Sequence, residues 1–451
     1  MTTSPAHGQS DQLIRGLTAA LARIGLPAPR GLERLSGGAN MESWRFDSGS
    51  AVCVLRRAPS PGMMAGRALD HGGEAALIRA AQSAGVTAPE VLVELAPGDG
   101  IGSGFVMRCL PGTPAPAVIL ESEDPAALLS GLARELAAIH RIPVAGLPAP
   151  AMDTAAALAD LKARFLSYGG DRPILALALR WLERNLPMPA EPRLVHGDFR
   201  LGNLLVEQGR LTGVLDWELA HLGDPHEDLA YGCMTVWRFA RPDRPAFGLG
   251  SVAALAAAYT AAGGAAFEPA RFRFWLIYRT CWWALGCLQM GAMWRSGIDR
   301  SLERVVVARR TAEQELDLLL LLEEQAPPAE RERRLSPAAA PAVPSQGEPS
   351  GAEVLIAVSE WLASDIKPLV SGRGKFDLAV ARNALGIVAR ELDQRPQASD
   401  AALAADLLGG KADLATPGVL ARLRRMALEK LSADMPKYPA LAAARALWEG
   451  P

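Results

Sequence analysis

The sequence has few cysteines, and none is paired at the spacing of a metal site. The five cysteines are scattered singly along the chain: Cys53, Cys109, Cys233, Cys281 and Cys287. An odd, dispersed set is typical of reduced thiols, so we expect a cytoplasmic protein without a disulfide framework. The N-terminal stretch MTTSPAHGQSDQ also lacks the apolar core of a signal peptide, which supports the same expectation.

The sequence also lacks an excess of charge of either sign. It has 47 Lys and Arg against 49 Asp and Glu, a formal net charge of -2. Nucleic acids and anionic membranes attract strongly basic surfaces, so we expect neither as a partner. The most apolar segment, residues 274–294, contains Arg279 and has further arginines at its flanks. We therefore predict a buried helix there and no membrane span.

A chain of 451 residues is too long for one average domain. Residues 326–350 contain six prolines and almost no bulky apolar side chain. Such a segment cannot bury enough surface to fold, so it predicts an extended linker. We therefore divide the chain into a main domain (13–324), a Pro-rich linker (325–350) and a C-terminal domain (351–451). We find no internal repeat.

The main domain changes character partway along the chain. Residues 44–57 alternate around a DSGS turn, which predicts a β-hairpin. One helical stretch and two strand-like runs follow, whereas the chain after Pro125 is mostly helical except at 194–217. This order predicts an α+β fold with a small β-rich N-lobe (about 13–110) and a helical C-lobe (about 111–324). Two lobes leave a cleft, where ligands usually bind.

Three polar residues interrupt the apolar stretch VHGDFRLGNLLVEQGRLTGVLDWE. Asp198 follows a short strand, and Asn203 and Asp216 lie at one end of the predicted hairpin formed by NLLVE and LTGVLDW. Each of them alone could be a turn residue, because Asp and Asn are common in turns. Together, Asn203 and Asp216 offer the oxygen ligands that Mg²⁺ prefers. Asp198 could then accept the proton of a hydroxyl group, as in phosphoryl transfer by kinases.

These motifs resemble a known family. HGDFRLGN is similar to the His-x-Asp-x4-Asn catalytic loop of the kinase fold, and VLDWE is similar to its metal-binding segment. HGD, without a DFG motif, resembles the aminoglycoside phosphotransferase family, which includes choline and homoserine kinases. The wider segment LDWELAHLGDPHEDLAYG resembles most the phosphotransferase domain that occurs alone or fused to acyl-CoA dehydrogenases. The resemblance covers about residues 13–324 and implies a protein-kinase-like fold, catalysis by Asp198 and Mg²⁺ held by Asn203 and Asp216.

The resemblance also implies an ATP site in the N-lobe. LSGGANMESW would cover the phosphates, the strand AVCVLRR would supply a basic residue, and the next helix would supply a carboxylate. The backbone of Met107 to Leu110 would bind adenine. The implied nucleotide-binding residues are Ser36, Gly37, Gly38, Asn40, Arg56, Glu74, Met107 and Cys109. Arg56 departs from the family pattern, which has Lys there, and a guanidinium group differs from an ammonium group in the geometry of its phosphate contacts.

Other polar residues near the motif have two interpretations each. Asp228 either braces the loop through backbone hydrogen bonds or takes part in catalysis, and Glu218 binds a second metal or a substrate or is a solvated turn residue. His196 is expected to orient the loop. His221 and His226 could form a metal site with His196, but carboxylate and amide groups suit Mg²⁺ better than zinc.

The C-terminal domain has the spacing of four or five helices and contains no His, Cys or Gly-rich phosphate loop. GKFDLAVARNALGIVARELD resembles a domain of unknown function that accompanies such phosphotransferases. Its role could be acceptor delivery or interaction, either as a homodimer or with a partner protein.

The sequence as a whole predicts a small-molecule kinase that phosphorylates a hydroxyl acceptor. The aromatic and Arg-rich C-lobe (Arg271, Arg273, Arg279 and Arg295) favours an anionic or partly apolar acceptor. The relatives linked to acyl-CoA dehydrogenases suggest a hydroxyacyl group or its CoA thioester. The alternative is a pseudokinase-like nucleotide-binding scaffold that acts through its C-terminal domain. Arg56 favours this alternative, and the intact set of Asp198, Asn203 and Asp216 opposes it. A metal-dependent phosphoesterase would need more metal ligands.

Overall fold

The computed structural model describes residues 5–35, 41–64, 66–336, 348–394 and 400–449. The chain divides into two compact units, each described by itself. The first unit comprises Met1–Asp153, Pro189–Cys233 and Trp237–Phe272, and the second comprises Thr154–Met188, Met234–Val236 and Arg273–Pro451.

The helices and strands of the described residues follow one another in this order: α1 (Pro5–Ala22), β1 (Arg30–Arg34), β2 (Glu42–Ser48), β3 (Ala51–Ala58), α2 (His71–Ser83), β4 (Val91–Glu94), β5 (Ser103–Arg108), α3 (Pro116–Ile119), α4 (Pro125–His140), α5 (Thr154–Ser167), α6 (Pro173–Arg184), β6 (Arg193–Val195), β7 (Leu204–Glu207), β8 (Arg210–Val214), β9 (His221–Gly223), α7 (His226–Tyr231), α8 (Val252–Ala261), α9 (Pro269–Arg295), α10 (Leu302–Arg309), α11 (Thr311–Leu322), α12 (Pro328–Arg331), α13 (Gly351–Trp361), α14 (Gly372–Gln394), α15 (Ala401–Gly409), α16 (Val419–Asp434) and α17 (Pro439–Trp448).

The first unit begins with a five-stranded antiparallel sheet in the order β1-β2-β3-β5-β4. β2 and β3 form a tight hairpin, in which Gly49 takes the left-handed conformation (φ 62°) that the turn requires. The core on one side of the sheet consists of α1 residues and strand residues such as Leu17, Phe46 and Leu55, all fully buried. β3 therefore runs through the middle of the sheet, and its side chains are fixed by neighbours on both edges.

A second hairpin, β7–β8, carries the polar motif of the first unit. Its turn residues Gln208 and Gly209 both have positive φ (50° and 72°), as a two-residue turn needs to match the strand twist. The register pairs Leu204 with Val214. Asn203, just before β7, and Asp216, just after β8, therefore lie at the same end of the hairpin, as predicted.

The second unit is helical and includes the C-terminal helices α13 to α17. α11 and the residue that follows it carry three buried acidic side chains, Glu315, Asp317 and Glu323, which face α16 and the turn after it. They bind Lys430 (Nζ–Oε2 2.5 Å), Tyr438 (Oη–Oδ2 2.6 Å) and Arg424 (Nη2–Oε2 2.8 Å), respectively. Buried ion pairs and hydrogen bonds thus hold the C-terminal helices against α11.

The predicted linker is described only in part. Its first residues form the short helix α12, and Leu335 is buried with its N–H bonded to the carbonyl of Trp448 (2.9 Å). Residues 337–347 lie outside the described part of the chain. Among the described residues, no helix combines the length and the apolar character needed to cross a membrane. In α9, the buried Arg279 lies 4.3 Å from the ring of Trp282.

Candidate active site

The loop after β6 presents Asp198 at the centre of the site. Gly197, the residue before it, has φ +80°, and a Cβ atom there would lie 2.4 Å from the carbonyl oxygen of Leu219. Only glycine combines this conformation with this close approach. The chain therefore turns sharply at Gly197, and this turn sets the direction of the buried Asp198 side chain.

Asp228, on α7, holds this loop through its carboxylate. Its carboxylate accepts hydrogen bonds from the backbone N–H groups of His196 (2.7 Å) and Gly197 (2.9 Å). It also lies 3.0 Å from Nε2 of His140, whose Nδ1 lies 2.7 Å from the hydroxyl of Tyr259. Burial alone would raise the pKa of Asp228, but the hydrogen bond and charge of His140 and the N–H donors lower it. The brace interpretation therefore agrees with the contacts of Asp228.

Asp198 is oriented by two side chains of its own loop. Nδ2 of Asn203 donates to the Asp198 carboxylate (Oδ2, 2.5 Å) and to its backbone carbonyl (3.1 Å). Nε of Arg200 donates to the other carboxylate oxygen (Oδ1, 2.9 Å). Burial raises the pKa of Asp198 despite the opposing charge of Arg200 and a hydrogen bond from Tyr231. A held carboxylate with a raised pKa suits acceptance of a proton.

Arg56, on the central strand β3, connects three carboxylates. Its Nε lies 3.0 and 3.2 Å from the carboxylate oxygens of Glu74 on α2. Its Nη2 donates to Asp216 (2.8 Å) and to Glu218 (2.6 Å), and Arg67 donates to the same Glu218 oxygen (2.9 Å). Burial raises the pKa of Glu74 to about 7 in spite of the neighbouring guanidinium, and the carboxylates raise the pKa of Arg56 against its own burial.

The donor set at the end of the β7–β8 hairpin fits Mg²⁺. Because Nδ2 of Asn203 faces Asp198, Oδ1 of its amide points away from Asp198 and is suited to a cation. Asp216 has a left-handed backbone (φ 65°), and its side chain is 30% exposed. In the described residues, no three His, Cys, Asp or Glu side chains group as a metal site. Few protein oxygens, completed by phosphates and water, are usual for Mg²⁺ in phosphotransfer enzymes.

The structure brings five of the predicted site residues together: Asp198, Asn203, Asp216, Arg56 and Glu74. The predicted phosphate-covering residues Ser36, Gly37, Gly38 and Asn40 lie outside the described residues. Met107 lies on β5, opposite Val54 of β3, and the N–H of Cys109 donates to the carbonyl of Val52 (2.9 Å). The N–H of Cys109 is therefore already used within the fold.

Two arginines of the site were missed by sequence reasoning. Arg200 holds Asp198, and Arg67 holds Glu218. The position of Arg200, two residues after Asp198, was a usable signal, whereas nothing in the sequence around Arg67 distinguishes it from a surface residue. Conversely, Arg271, which suggested an anionic acceptor, forms an ion pair with the buried Asp224 (2.9 Å). The charge of Arg271 is therefore neutralised within the fold by Asp224.

The histidines near the motif also have partners within the fold. The ring of His196 packs against Trp217 (centroids 4.7 Å apart). Nε2 of His221 lies 3.0 Å from Glu227, and Nδ1 of His226 lies 2.9 Å from Asp224. Burial lowers the pKa of His196, outweighing the carboxylates around it. A neutral ring packed on an indole suits the orienting role that the sequence suggested.

Two family models match the chain. Residues 31–275 match the phosphotransferase enzyme family, and residues 368–438 match a domain of unknown function, DUF6285. Acyl-CoA dehydrogenase family member 10 of Mus musculus is 30% identical over 224 residues, 44% of this chain and 20% of the relative. Acyl-CoA dehydrogenase family member 11 of Pongo abelii is 28% identical over 207 residues, 43% of this chain and 26% of the relative. The matched regions thus span only a fifth to a quarter of these relatives.

Solved structures show the same fold. A candidate aminoglycoside phosphotransferase from Ralstonia eutropha superposes with a TM-score of 0.55 at 20% identity, over 68% of this chain and 98% of the other. A thermostable mutant of aminoglycoside phosphotransferase APH(4)-Ia, solved with AMP-PNP and hygromycin B, gives 0.50 at 20% identity, over 70% and 99%. The predicted α+β, protein-kinase-like fold and the predicted enzyme class are confirmed. Because the family model spans more than half of the chain, this protein belongs to the phosphotransferase enzyme family, whose members transfer phosphoryl groups to hydroxyl acceptors.

Proposed function

We propose that this protein is an ATP-dependent kinase that phosphorylates the hydroxyl group of a small-molecule acceptor. The observation that carries the proposal is the arrangement of Asp198: it is buried, held by Asn203 and Arg200, and close enough to Asp216 for their charges to interact. A proton acceptor beside metal-type oxygens is the arrangement that phosphoryl transfer to an alcohol needs.

In the proposed reaction, the acceptor oxygen attacks the γ-phosphorus of ATP and the bond to the β-phosphate oxygen breaks. The products are a phosphate monoester and ADP, and the hydroxyl proton moves to the carboxylate of Asp198. The raised pKa of Asp198 makes it a stronger base than an exposed aspartate. Arg200 and Asn203 hold its two carboxylate oxygens, so the carboxylate is already oriented when the acceptor binds.

Asn203 and Asp216 would hold Mg²⁺, which supplies positive charge to the phosphates when bound. Arg56 and Arg67 bring two further positive charges to Asp216 and Glu218, so the carboxylates remain close together despite their repulsion. Ser36, Gly37, Gly38 and Asn40 would cover the phosphates, and the backbone at Met107 and Cys109 would bind adenine.

The acceptor in this proposal is a hydroxyacyl group, free or as its CoA thioester. Support comes from the relatives that share the phosphotransferase region, which are named as acyl-CoA dehydrogenase family members. These names describe proteins four to five times longer than the matched region. Action in the cytoplasm and a homodimer or partner contact through the C-terminal helices stay predictions.

The experiment is a coupled assay of ADP formation with Mg²⁺ and ATP against a panel of hydroxy acids and hydroxyacyl-CoA thioesters. At least one acceptor should stimulate ADP release, and Asp198→Asn should reduce that rate by about 10³-fold or more while ATP still binds. Asp160→Asn, the same change at an exposed position on α5, is the control. ATP binding without turnover on any acceptor would favour the scaffold alternative.

A further inference from the structure

The segment from Trp237 to Phe247, called here the 237–247 loop, is attached at both ends to the residues that follow Asp198. At one end, the guanidinium of Arg200 lies 4.3 Å from the ring centroid of Trp237. At the other end, the ring of Phe247 packs edge-on against Phe199 (5.8 Å, 89°). The loop therefore runs beside the proposed proton acceptor.

The backbone of this loop is held in an unusual shape. Phe239, Ala240 and Phe247 all have left-handed conformations, with φ of 45°, 70° and 55°. Such conformations cost free energy in residues with a Cβ and persist only where the surroundings enforce them, commonly at ligand sites. Near the start of the loop, Nε and Nη2 of Arg238 both donate to the carbonyl of Cys233 (3.0 and 2.7 Å). These hydrogen bonds tie the start of the loop to the end of the segment before it.

An aromatic wall leads away from Asp198 along this loop. Tyr231 donates a hydrogen bond to Asp198, and its ring lies 6.0 Å from that of Trp237. Trp237 in turn lies 6.5 Å from Phe239, whose side chain remains 37% exposed. Tyr231 and Trp237 are buried (2% and 7% exposed), so the three rings form a packed row that begins at Asp198 and reaches the surface at Phe239. An acceptor that lies against the exposed end of this row needs an apolar portion.

The far part of the loop is basic. Arg241 and Arg244 are each 38% exposed, and their acidic neighbours are weak partners. Arg241 lies 3.6 Å from Glu121, which is 78% exposed, and Arg244 lies 3.7 Å from the adjacent Asp243, which is 72% exposed. Such exposed pairs are worth little and exchange readily for a better anion. The surface therefore suits an anionic group and opposes a polycationic one.

We propose that the 237–247 loop is the acceptor-binding wall, and that it selects hydroxyl compounds with an apolar chain and an anionic end. This inference rests on the proposed function and names the substrate class of the same site. Phe239 would cover the chain, with the buried Trp237 packed behind it, and Arg241 and Arg244 would bind the anion. Two acceptors share this chemistry: a free hydroxy acid, through its carboxylate, and a hydroxyacyl-CoA, through its phosphates. Aminoglycosides lack both features.

The test uses the full chain and measures direct binding by calorimetry, then steady-state kinetics. The probes are a medium-chain hydroxyacyl-CoA, the corresponding free hydroxy acid and one aminoglycoside. We expect Arg241→Gln/Arg244→Gln and Phe239→Ala each to raise Kd and KM for the preferred anionic acceptor about tenfold relative to KM for ATP. The charge-matched control, Arg30→Gln/Arg79→Gln, neutralises two arginines on β1 and α2 and should change neither.

The outcomes separate the two proposals. Tight binding of an anionic probe that weakens in the loop variants, without any ADP formation, would support the acceptor wall and refute the kinase reaction. Turnover with equal KM in wild type and loop variants would refute the wall and keep the kinase. A wild-type preference for the aminoglycoside, or no binding of any probe, would also overturn the wall. Trp237→Phe should retain more binding than Trp237→Leu, because the aromatic face is kept.

Discussion

Replacing Asp228 with Asn tests how the catalytic loop is held. The carboxylate of Asp228 is fully buried, and it receives hydrogen bonds from the N–H groups of His196 and Gly197 on different oxygens. His140 Nε2 meets the same oxygen as His196. An Asn side chain has only one acceptor oxygen. In Asp228→Asn, the amide NH₂ must therefore face at least one backbone N–H that now has no acceptor.

The expected cost follows from these contacts. One orphaned buried N–H costs about 1–3 kcal/mol, and two charge-assisted hydrogen bonds become neutral ones, each about 1 kcal/mol weaker. The relief of desolvation when the charge is removed offsets part of this. That relief is the smaller effect, because the partners of Asp228 lower its pKa below the ordinary value despite complete burial. We expect the free energy of unfolding of the first unit to fall by about 3 kcal/mol.

The assay is urea denaturation followed by intrinsic tryptophan fluorescence, to which Trp217, packed on His196 of the same loop, contributes with the other nine tryptophans. Asp124→Asn is the matched control. Asp124 caps α4 by accepting one backbone N–H from Ala127, and Asn caps a helix about as well as Asp. The control should change stability by only a few tenths of a kcal/mol. A loss below about 1 kcal/mol in Asp228→Asn would show that the charge of Asp228 is unnecessary and refute the reasoning.

Three further predictions follow from other contacts. Because burial raises the pKa of Glu74 from 4.5 to about 7, its contribution to stability is present below pH 4.5 and lost as pH rises through about 7. Between pH 5 and pH 8, the unfolding free energy should therefore fall by about 2.5 kcal/mol more in wild type than in Glu74→Gln, and equal changes in the two proteins would contradict this. Gly197→Ala should cost at least about 2 kcal/mol, whereas Gly146→Ala, with the same φ of +80° and open space around it, should cost about 1. Lys430→Met should destabilise the second unit by about 2 kcal/mol, because the buried Glu315 then keeps only Arg172 (3.4 Å) as a cationic partner, and adding Glu315→Gln should restore part of that loss in a double-mutant cycle.

Much of the first unit could be predicted because its signals are local. The turns at Gly49 and at Gln208–Gly209 combine short polar sequences with flanking apolar alternation, and both hairpins form as expected. The hairpin register then brings Asn203 and Asp216 to one end with no further information. The spacing of this motif, more than any single residue in it, made the site predictable.

What could not be predicted depends on contacts between distant segments. Residues 301–324 have one continuous helical pattern, yet the chain forms two helices, α10 and α11, that meet at Arg310. The hydrophobic periodicity of the sequence gives no sign of this break, because both helices keep an apolar face. In the same way, the partners of Arg67 and Asp228 lie 151 and 31 or 32 residues away along the chain. No local pattern contains that information.

Arg56, the one departure from the family pattern, becomes understandable once its partners are known. A lysine ammonium is a compact charge, whereas the guanidinium fork lets Nε meet Glu74 while Nη2 meets Asp216 and Glu218. The chain also uses arginine almost throughout, since Lys162 is the one lysine among residues 1–366. The replacement therefore keeps the positive charge and gains a third carboxylate contact, so it does not by itself indicate a lost activity. Arg56→Lys should then lose one of the three contacts. We expect the lost contact to be the one to Glu218, because Glu218 still has Arg67 as a partner.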